Sequence, residues 1–316
     1  MRSPVKGINM ITTSLKASNQ NHTSEQDSVR QEKNGMMILY AVFLVFSVIG
    51  LVGNLIVFSY LGFKIQRNKY TVYIMNLSLA DAILETVAII TLIANIISNT
   101  SNNEIKSFTL SLTVLYYAMI YTGMYLLTAI STERCISALF PIWNTVHRPR
   151  NLSTIMCCFA WALAGLESLL DNFVCGPNPP DDKTLKCVAI GVMDFTLAVG
   201  ICLPLTVIST SILLIKIKTT FRQRYPPKLY IIIIVAAIMF TLSVLPLNTI
   251  RLLSFCRLVP TNLVPVKAFI PIEYWMIVNS AINPYIYFLV GKIWNQGTCC
   301  SIRDTLHRAF TIDIDD

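Results

Sequence analysis

The sequence predicts an all-α membrane protein, a seven-transmembrane helix bundle, and three observations lead to this fold class. The 316 residues are 54% hydrophobic and only 13% charged, about half the charge of a typical soluble domain. The apolar residues are collected in seven runs, each long enough to cross the roughly 30 Å hydrocarbon core of a bilayer as a helix. The runs lack the polar and apolar alternation of a membrane β-barrel.

The seven helices follow from the hydrogen bonding that lipid demands. Backbone groups in lipid must be bonded within their own segment, so each apolar run is predicted to be helical. The predicted helices are Met37 to Phe63, Thr71 to Ile97, Phe108 to Ile136, Ser153 to Val174, Cys187 to Ile217, Leu229 to Cys256 and Lys267 to Val290.

The segments outside the transmembrane domain (residues 37–291) have a different composition. Residues 1–36 are polar and are predicted to be a disordered extracellular tail. In residues 292–316, Ile302, Leu306 and Phe310 recur every four residues beside Arg303. This spacing predicts a short amphipathic cytoplasmic helix on the inner leaflet, followed by a short tail.

Loop charge predicts the orientation, because cytoplasmic loops carry an excess of Lys and Arg. One set of loops contains ten basic residues: Lys64, Arg67, Lys69, Arg148, Arg150, Lys216, Lys218, Arg222, Arg224 and Lys228. The other set contains five: Lys106, Lys183, Lys186, Arg257 and Lys267. A plasma-membrane protein with the N-terminus outside and the C-terminus inside is therefore predicted. The net charge of +8 is attributed to loops facing anionic lipid rather than to nucleic-acid binding.

Several residues are modification candidates in this topology. Asn21 and Asn99 begin glycosylation sequons on the extracellular side. Cys175 and Cys187 end and begin consecutive helices on the oxidising side, which favours a disulfide over two free thiols. Cys299 and Cys300 follow the last helix. Two alternatives stay open for them: palmitoylated cysteines at the membrane surface, or reduced cytosolic thiols.

Polar side chains inside the apolar runs are functional candidates, because lipid excludes them. Asn54, Asp81, Asn279 and Asn283 are predicted to form an internal polar network, which would at least hold the helices together. Prolines within three of the runs, at 204, 246 and 284, predict kinks that can serve as hinges.

Catalytic and metal-binding chemistry have no support in the sequence. The three histidines lie far apart, and there is no HExxH, no GxxxxGK[ST] loop and no paired CxxC motif. We therefore predict no enzyme activity and no cofactor. A transporter with Asp81 and Glu85 in an ion path is an alternative, although no internal repeat is found.

The motifs together resemble a known family. One set falls on each helix in order: Gly53-Asn54, Leu77-Ser78-Leu79-Ala80-Asp81, Glu133-Arg134-Cys135, Trp161, Pro204, Pro246 and Asn283-Pro284-Tyr285-Ile286-Tyr287. They resemble a rhodopsin-like G protein-coupled receptor. Within that superfamily the stretches YLLTAISTERCISALFPIW, HRPR, KLYIIII and NPYIYFLVG are similar to Mas-related receptors.

The resemblance implies a switch at the cytoplasmic face. It makes Arg134 the residue that contacts a heterotrimeric G protein of the Gq or Gi type, with Glu133 as its resting partner. Tyr287 would fill the space that Arg134 vacates. The sixth helix begins with Pro226, Pro227 and Lys228 and offers Arg134 no acid, so a weak resting lock and measurable basal signalling are expected.

Two positions depart from the common pattern of the superfamily. Gly123 stands where a hydroxyl usually faces Asp81, which argues against sodium binding there. Val244 replaces the usual aromatic residue two positions before Pro246, a departure that Mas-related receptors share.

The extracellular halves of the helices contain more acids than bases. Glu167, Asp171, Asp194 and Glu273 stand against Arg251, which predicts a cationic ligand, a basic peptide or amphiphile that contacts Asp171. Internal pairing, for instance of Glu273 with Arg251, is the alternative. Tyr116 and Tyr117 either line the pocket floor or pack between helices. A receptor without a dedicated ligand, constitutively active or modulating other receptors, also stays open.

Overall fold

The computed structural model describes residues 5–64, 70–101, 106–175, 184–220, 228–256 and 266–293, in places by the backbone alone. Within these ranges the chain forms helices and no strand. The helices are α1 Val5–Phe63, α2 Thr71–Ser101, α3 Lys106–Leu139, α4 Pro141–Val146, α5 Leu152–Val174, α6 Thr184–Phe195, α7 Leu203–Thr220, α8 Lys228–Phe255 and α9 Val266–Ile293. A π-helical turn, Thr196–Cys202, joins α6 to α7.

The predicted bundle is confirmed. By length and composition, six helical stretches in the described part can span a membrane: Lys33–Phe63, Thr71–Ile97, Leu110–Leu139, Leu152–Val174, Leu185–Lys216 and Ile234–Leu253. The seventh predicted helix corresponds to α9, which packs against α1, α2 and α8. Helix α3 lies centrally and contacts α2, α5, α7 and α8. Its buried apolar side chains form part of the main core cluster.

The first helix differs most from the prediction. It begins at Val5 rather than Met37, so residues 5–36, predicted to be a disordered tail, have a helical backbone. Nucleation is the unfavourable step in helix formation, and extending a helix adds one hydrogen bond for each residue fixed. A polar segment can therefore continue a helix that the apolar span has already nucleated.

Helix α1 lies unusually close to α9, and two glycines permit it. A Cβ atom on Gly50 would lie 2.7 Å from the Cβ of Ala281 and 2.8 Å from its Cα. A Cβ atom on Gly53 would lie 3.0 Å from the Cβ of Pro284. Small residues at such a contact allow two membrane helices to approach backbone to backbone.

The bundle has two functional ends. The disulfide end is where α5 and α6 are joined by the bond between Cys175 and Cys187. The Arg134 end is the opposite end of the bundle, where α5 begins and α7 ends. The predicted disulfide is confirmed: the two Cα atoms are 5.1 Å apart, within the usual range.

Some predicted sites lie outside the part of the chain that is described. The side chains of Asn21, Asn99 and Glu273 belong to this group, as do Cys299, Cys300 and the amphipathic helix expected after residue 293.

Candidate functional site

The centre of the bundle contains the predicted polar network. Asn283 Nδ2 donates a 2.8 Å hydrogen bond to Asp81 Oδ2, which joins α9 to α2. Asn54 Nδ2 donates to the carbonyl of Ser280 at 3.3 Å, which joins α1 to α9. These buried contacts link three helices at mid-depth, so the carboxylate and amide side chains are brought together as the sequence predicts.

A small cavity adjoins this network and is lined by Asp81, Gly123, Asn279 and Asn283. Gly123 lies opposite Asp81: a Cβ atom on this glycine would be 4.0 Å from Asp81 Oδ1. The helix α3 side of the cavity therefore offers Asp81 no hydroxyl at this position. That Asp81 does not hold sodium in the usual way stays a prediction.

The Arg134 end contains an ion pair that the sequence did not indicate. Glu133 Oε1 accepts hydrogen bonds from Arg148, and both side chains are buried. Arg148 Nη2 also donates to Ser153 Oγ at 2.6 Å. The described partner of Glu133 is thus Arg148, which follows α4, and not the adjacent Arg134.

Arg134 is held differently from the resting pair that the resemblance implied. Its Cζ atom lies 3.2 Å from the ring centroid of Tyr70, a cation–π contact. The Tyr70 hydroxyl shares a 2.9 Å hydrogen bond with Ser137 Oγ, which fixes the ring. Neighbouring side chains on a helix point about 100° apart, so Glu133 and Arg134 face different partners.

A small cavity opens beside Arg134. It is lined by Arg134, Tyr70, Tyr287 and apolar side chains of α2, α3 and α8. Arg134 and Tyr287 therefore share one cavity, as the switch requires. The third residue of the motif, Cys135, is buried on α3 and faces Ser209 of α7.

At the disulfide end, one of the predicted acids, Asp171, and the predicted base, Arg251, are in direct contact. Arg251 Nη2 forms a buried ion pair with Asp171 Oδ2. Arg251 Nη1 donates to the Tyr121 hydroxyl at 2.6 Å, and its Cζ atom lies 4.5 Å from the Tyr117 ring centroid. Arg251 of α8 is therefore bound to side chains of both α3 and α5, and the Asp171 carboxylate already has a cationic partner.

The other two acids lie beneath this ion pair, farther from the disulfide. Glu167 and Asp194 are 1% and 3% exposed. The Tyr125 hydroxyl donates to Glu167 Oε2. Tyr116 is buried and packs edge-on against Tyr117, with ring centroids 5.6 Å apart, so Tyr116 has a packing role in the structure.

The sequence did not indicate three of the residues that contact the predicted site residues: Arg148, Tyr70 and Tyr125. Arg148 lies within the motif HRPR, so its charge was visible. Its distance from Glu133 depends on how the chain turns back after α4, which no helical periodicity describes. Tyr70 and Tyr125 carry no motif, and only the helix packing brings them to their partners.

Comparison with known proteins agrees with this geometry. The family model described as "7 transmembrane receptor (rhodopsin family)" matches residues 53–287. The chain is 31% identical to the human protein "Proto-oncogene Mas" over 304 residues, covering 91% of this chain and 88% of that protein. It is 34% identical to the mouse "Mas-related G-protein coupled receptor member A8" over 276 residues, covering 86% and 89%.

The chain belongs to the Mas-related receptors of the rhodopsin family. This receptor is accordingly a multi-pass plasma-membrane protein that has an extracellular ligand and a G protein as partners, and it is not an enzyme. The transporter alternative is thereby set aside.

Proposed function

We propose that this receptor binds a basic peptide or cationic amphiphile from outside the cell and activates a Gq- or Gi-type G protein inside. In this proposal the disulfide end is extracellular and the Arg134 end is cytoplasmic. The excess of Lys and Arg in the loops at the Arg134 end supports this orientation.

The charge balance at the disulfide end supports a cationic ligand. Among the described side chains of that cluster, Glu167, Asp171 and Asp194 are acidic and Arg251 is basic. Carboxylates in a partly desolvated site attract cations and pair with them in charge-assisted hydrogen bonds. We infer that a basic group of the ligand competes with Arg251 for Asp171.

The coupling proposal rests on the cavity at the Arg134 end. Arg134 and Tyr287 both line it, and α8, which must move to open it, contains Pro246 as a hinge. In α9, Pro284 lies directly after Asn283 and could transmit movement of the polar network to Tyr287.

A constitutively active receptor is the second candidate. The observation that favours it is the pairing of Glu133 with Arg148, which leaves the carboxylate next to Arg134 engaged elsewhere. Output without any ligand, above that of cells lacking the receptor, would support this reading.

The test is a matched screen of arginine-rich peptides in cells expressing the receptor, read by calcium release for Gq and by cAMP inhibition for Gi. Each peptide is paired with a version in which citrulline, an uncharged isostere, replaces arginine. We expect responses to the charged peptides alone. Equal responses to both versions, or to neither, would contradict a cationic ligand.

Asp171→Asn should lower the potency of an active peptide about 10-fold or more, because one charged hydrogen bond is worth about 1.5–3 kcal/mol. The substitution also leaves the positive charge of Arg251 less compensated, and this charge repels a basic ligand. The matched control is Asn172→Ala on the same helix, whose amide donates a hydrogen bond to the Ser168 carbonyl one turn earlier. Unchanged potency in Asp171→Asn would show that Asp171 does not contact the ligand.

A further inference from the structure

Helix α2 contains a second buried acid, which the proposed function does not use. Glu85 lies one turn after Asp81 on the same helix and is fully buried. Its carboxyl group contacts the Ser47 hydroxyl of α1 and the Ser280 hydroxyl of α9. Three helices therefore meet at this side chain, in the interior of the bundle.

The helices are closely packed around Glu85. A Cβ atom on Gly50 of α1 would lie 2.8 Å from Glu85 Oε1 and 2.7 Å from the Cβ of Ala281. Asn54 Nδ2 donates to the carbonyl of Gly50 at 3.1 Å and to that of Ser280 at 3.3 Å, which holds α1 against α9 at the same depth. The carboxyl group is thus enclosed by small side chains and backbone of α1 and α9.

The two acids of α2 lie in a region without basic residues. Helix α2 contains no Lys, Arg or His, and residues 34–63 of α1 contain none. The basic residues of α3 and α9 lie near the ends of these helices: Lys106, Arg134, Lys267 and Lys292. Two carboxylates one turn apart repel each other, and a membrane interior makes each of them costly without a counter-ion. One positive charge is therefore needed beside them.

A proton fits this place, and a metal ion does not. A hard metal ion takes about six oxygen ligands and needs a cavity that holds it. The small cavity of the polar network is lined by Asp81 and Ser280, and Glu85 is not among its described lining residues. Beside Glu85 Oε1 there is no room even for a methyl group on Gly50. A proton adds no volume, because it becomes part of the carboxyl group.

The hydroxyl of Ser280 provides an independent argument. It contacts both Glu85 and Asp81, but a hydroxyl has only one proton to donate, although it can also accept. Two ionised carboxylates would compete for that proton. If Glu85 is protonated, it donates to Ser280 Oγ and Ser280 donates to Asp81, which also accepts from Asn283 Nδ2 at 2.8 Å. A continuous chain of hydrogen bonds then joins α2 to α9.

We propose that Glu85 is a proton-binding site, whose protonated carboxyl group donates to Ser280 while Asp81 carries the single negative charge of the pair. The bound proton allows two acids to lie one turn apart in the membrane interior, and it joins α1 and α2 to α9. The site does not depend on the ligand or the G protein, so this inference goes beyond the proposed function.

The experiment is infrared spectroscopy of the purified receptor without ligand at neutral pH. The receptor is held in a maltoside detergent, which has no carbonyl group of its own. A protonated carboxyl group has a C=O stretching band that a carboxylate lacks. Glu85→Gln should remove such a band, and Asp81→Asn should retain it. Glutamine is an uncharged isostere of the protonated acid, so Glu85→Gln should keep the Tm of the unmodified receptor.

Two serine variants test the chain of hydrogen bonds. Ser280→Ala removes the acceptor of the Glu85 proton, so the band should remain but move to higher frequency. Ser243→Ala is the matched control, because Ser243 is a buried serine of α8 whose hydroxyl donates to the Met239 carbonyl at 2.8 Å. This control should leave the band in place.

Three results would overturn the proton site. Retention of the whole band in Glu85→Gln would mean that Glu85 is ionised. Loss of the band in Asp81→Asn, with retention in Glu85→Gln, would place the proton on Asp81 instead. A band that does not move in Ser280→Ala would show that Glu85 does not donate to Ser280.

Discussion

The ion pair between Glu133 and Arg148 predicts a measurable effect on basal signalling. Arg148→Gln removes the cation that holds Glu133. Arg134 is the cation directly after Glu133 in the sequence, so the buried Glu133 carboxylate should draw Arg134 away from the Tyr70 ring. A receptor whose Arg134 is bound to Glu133 is more firmly held at rest, and we expect its basal G protein activation to fall.

The magnitude follows from burial and charge. The side chains of Arg148 and Glu133 are 7% and 9% exposed, so salt screens the charges little. A hydrogen bond to a charged group contributes about 1.5–3 kcal/mol. Arg134 must give up its contact with Tyr70 to form the new pair, and the net change is about 1–2 kcal/mol, or about 5- to 30-fold in the equilibrium between resting and active receptor.

The assay is energy transfer between G protein subunits in cells without ligand, normalised to receptor at the cell surface. Arg150→Gln is the matched control, because it removes the same charge from an exposed position two residues away. Arg148→Lys keeps the charge without the guanidinium fork that also bonds Ser153 and should give an intermediate value.

A second substitution tests whether Glu133 is the residue through which Arg148 acts. In a Glu133→Gln background, Arg148→Gln should have no further effect on basal output, because coupled residues are not additive. Basal output that stays constant in Arg148→Gln, or that rises, would refute the reasoning. A rise would mean that the Glu133–Arg148 pair itself restrains activation.

Two further predictions concern stability. Gly50→Ala should lower the thermal stability of the detergent-solubilised receptor by about 1–3 kcal/mol, because the new methyl group would lie 2.7 Å from Ala281 Cβ. Gly62→Ala, where no atom lies within 4 Å, should leave the Tm unchanged, and an equal loss in both would contradict close packing as the cause. Cys175→Ser should cost about 2–5 kcal/mol, and a reducing agent should destabilise the unmodified receptor but not this variant, which has lost its bond to Cys187.

The helices and their order were predictable from the sequence because a bilayer imposes a simple physical rule. A span must be apolar and internally hydrogen-bonded, so helix α2 was predicted to begin at Thr71 and does so. The disulfide between Cys175 and Cys187 was predictable for a similar reason, since helix ends joined by a short loop must lie near one another. The residue at which α1 begins was not predictable, because a polar segment outside the bilayer can be helical or irregular.

Partner choice among the charged residues was decided only by the tertiary structure. The sequence indicated that Glu133, Asp171 and Arg251 are functional candidates, since lipid excludes charges that have no role. Arg148 pairs with Glu133 because the chain after α4 turns back to α3. Asp171 pairs with Arg251 because α5 and α8 face one another across α3. The charge of a residue and its place in an apolar run can be read from the sequence. An ion pair depends on the distances between helices, which a single sequence does not specify.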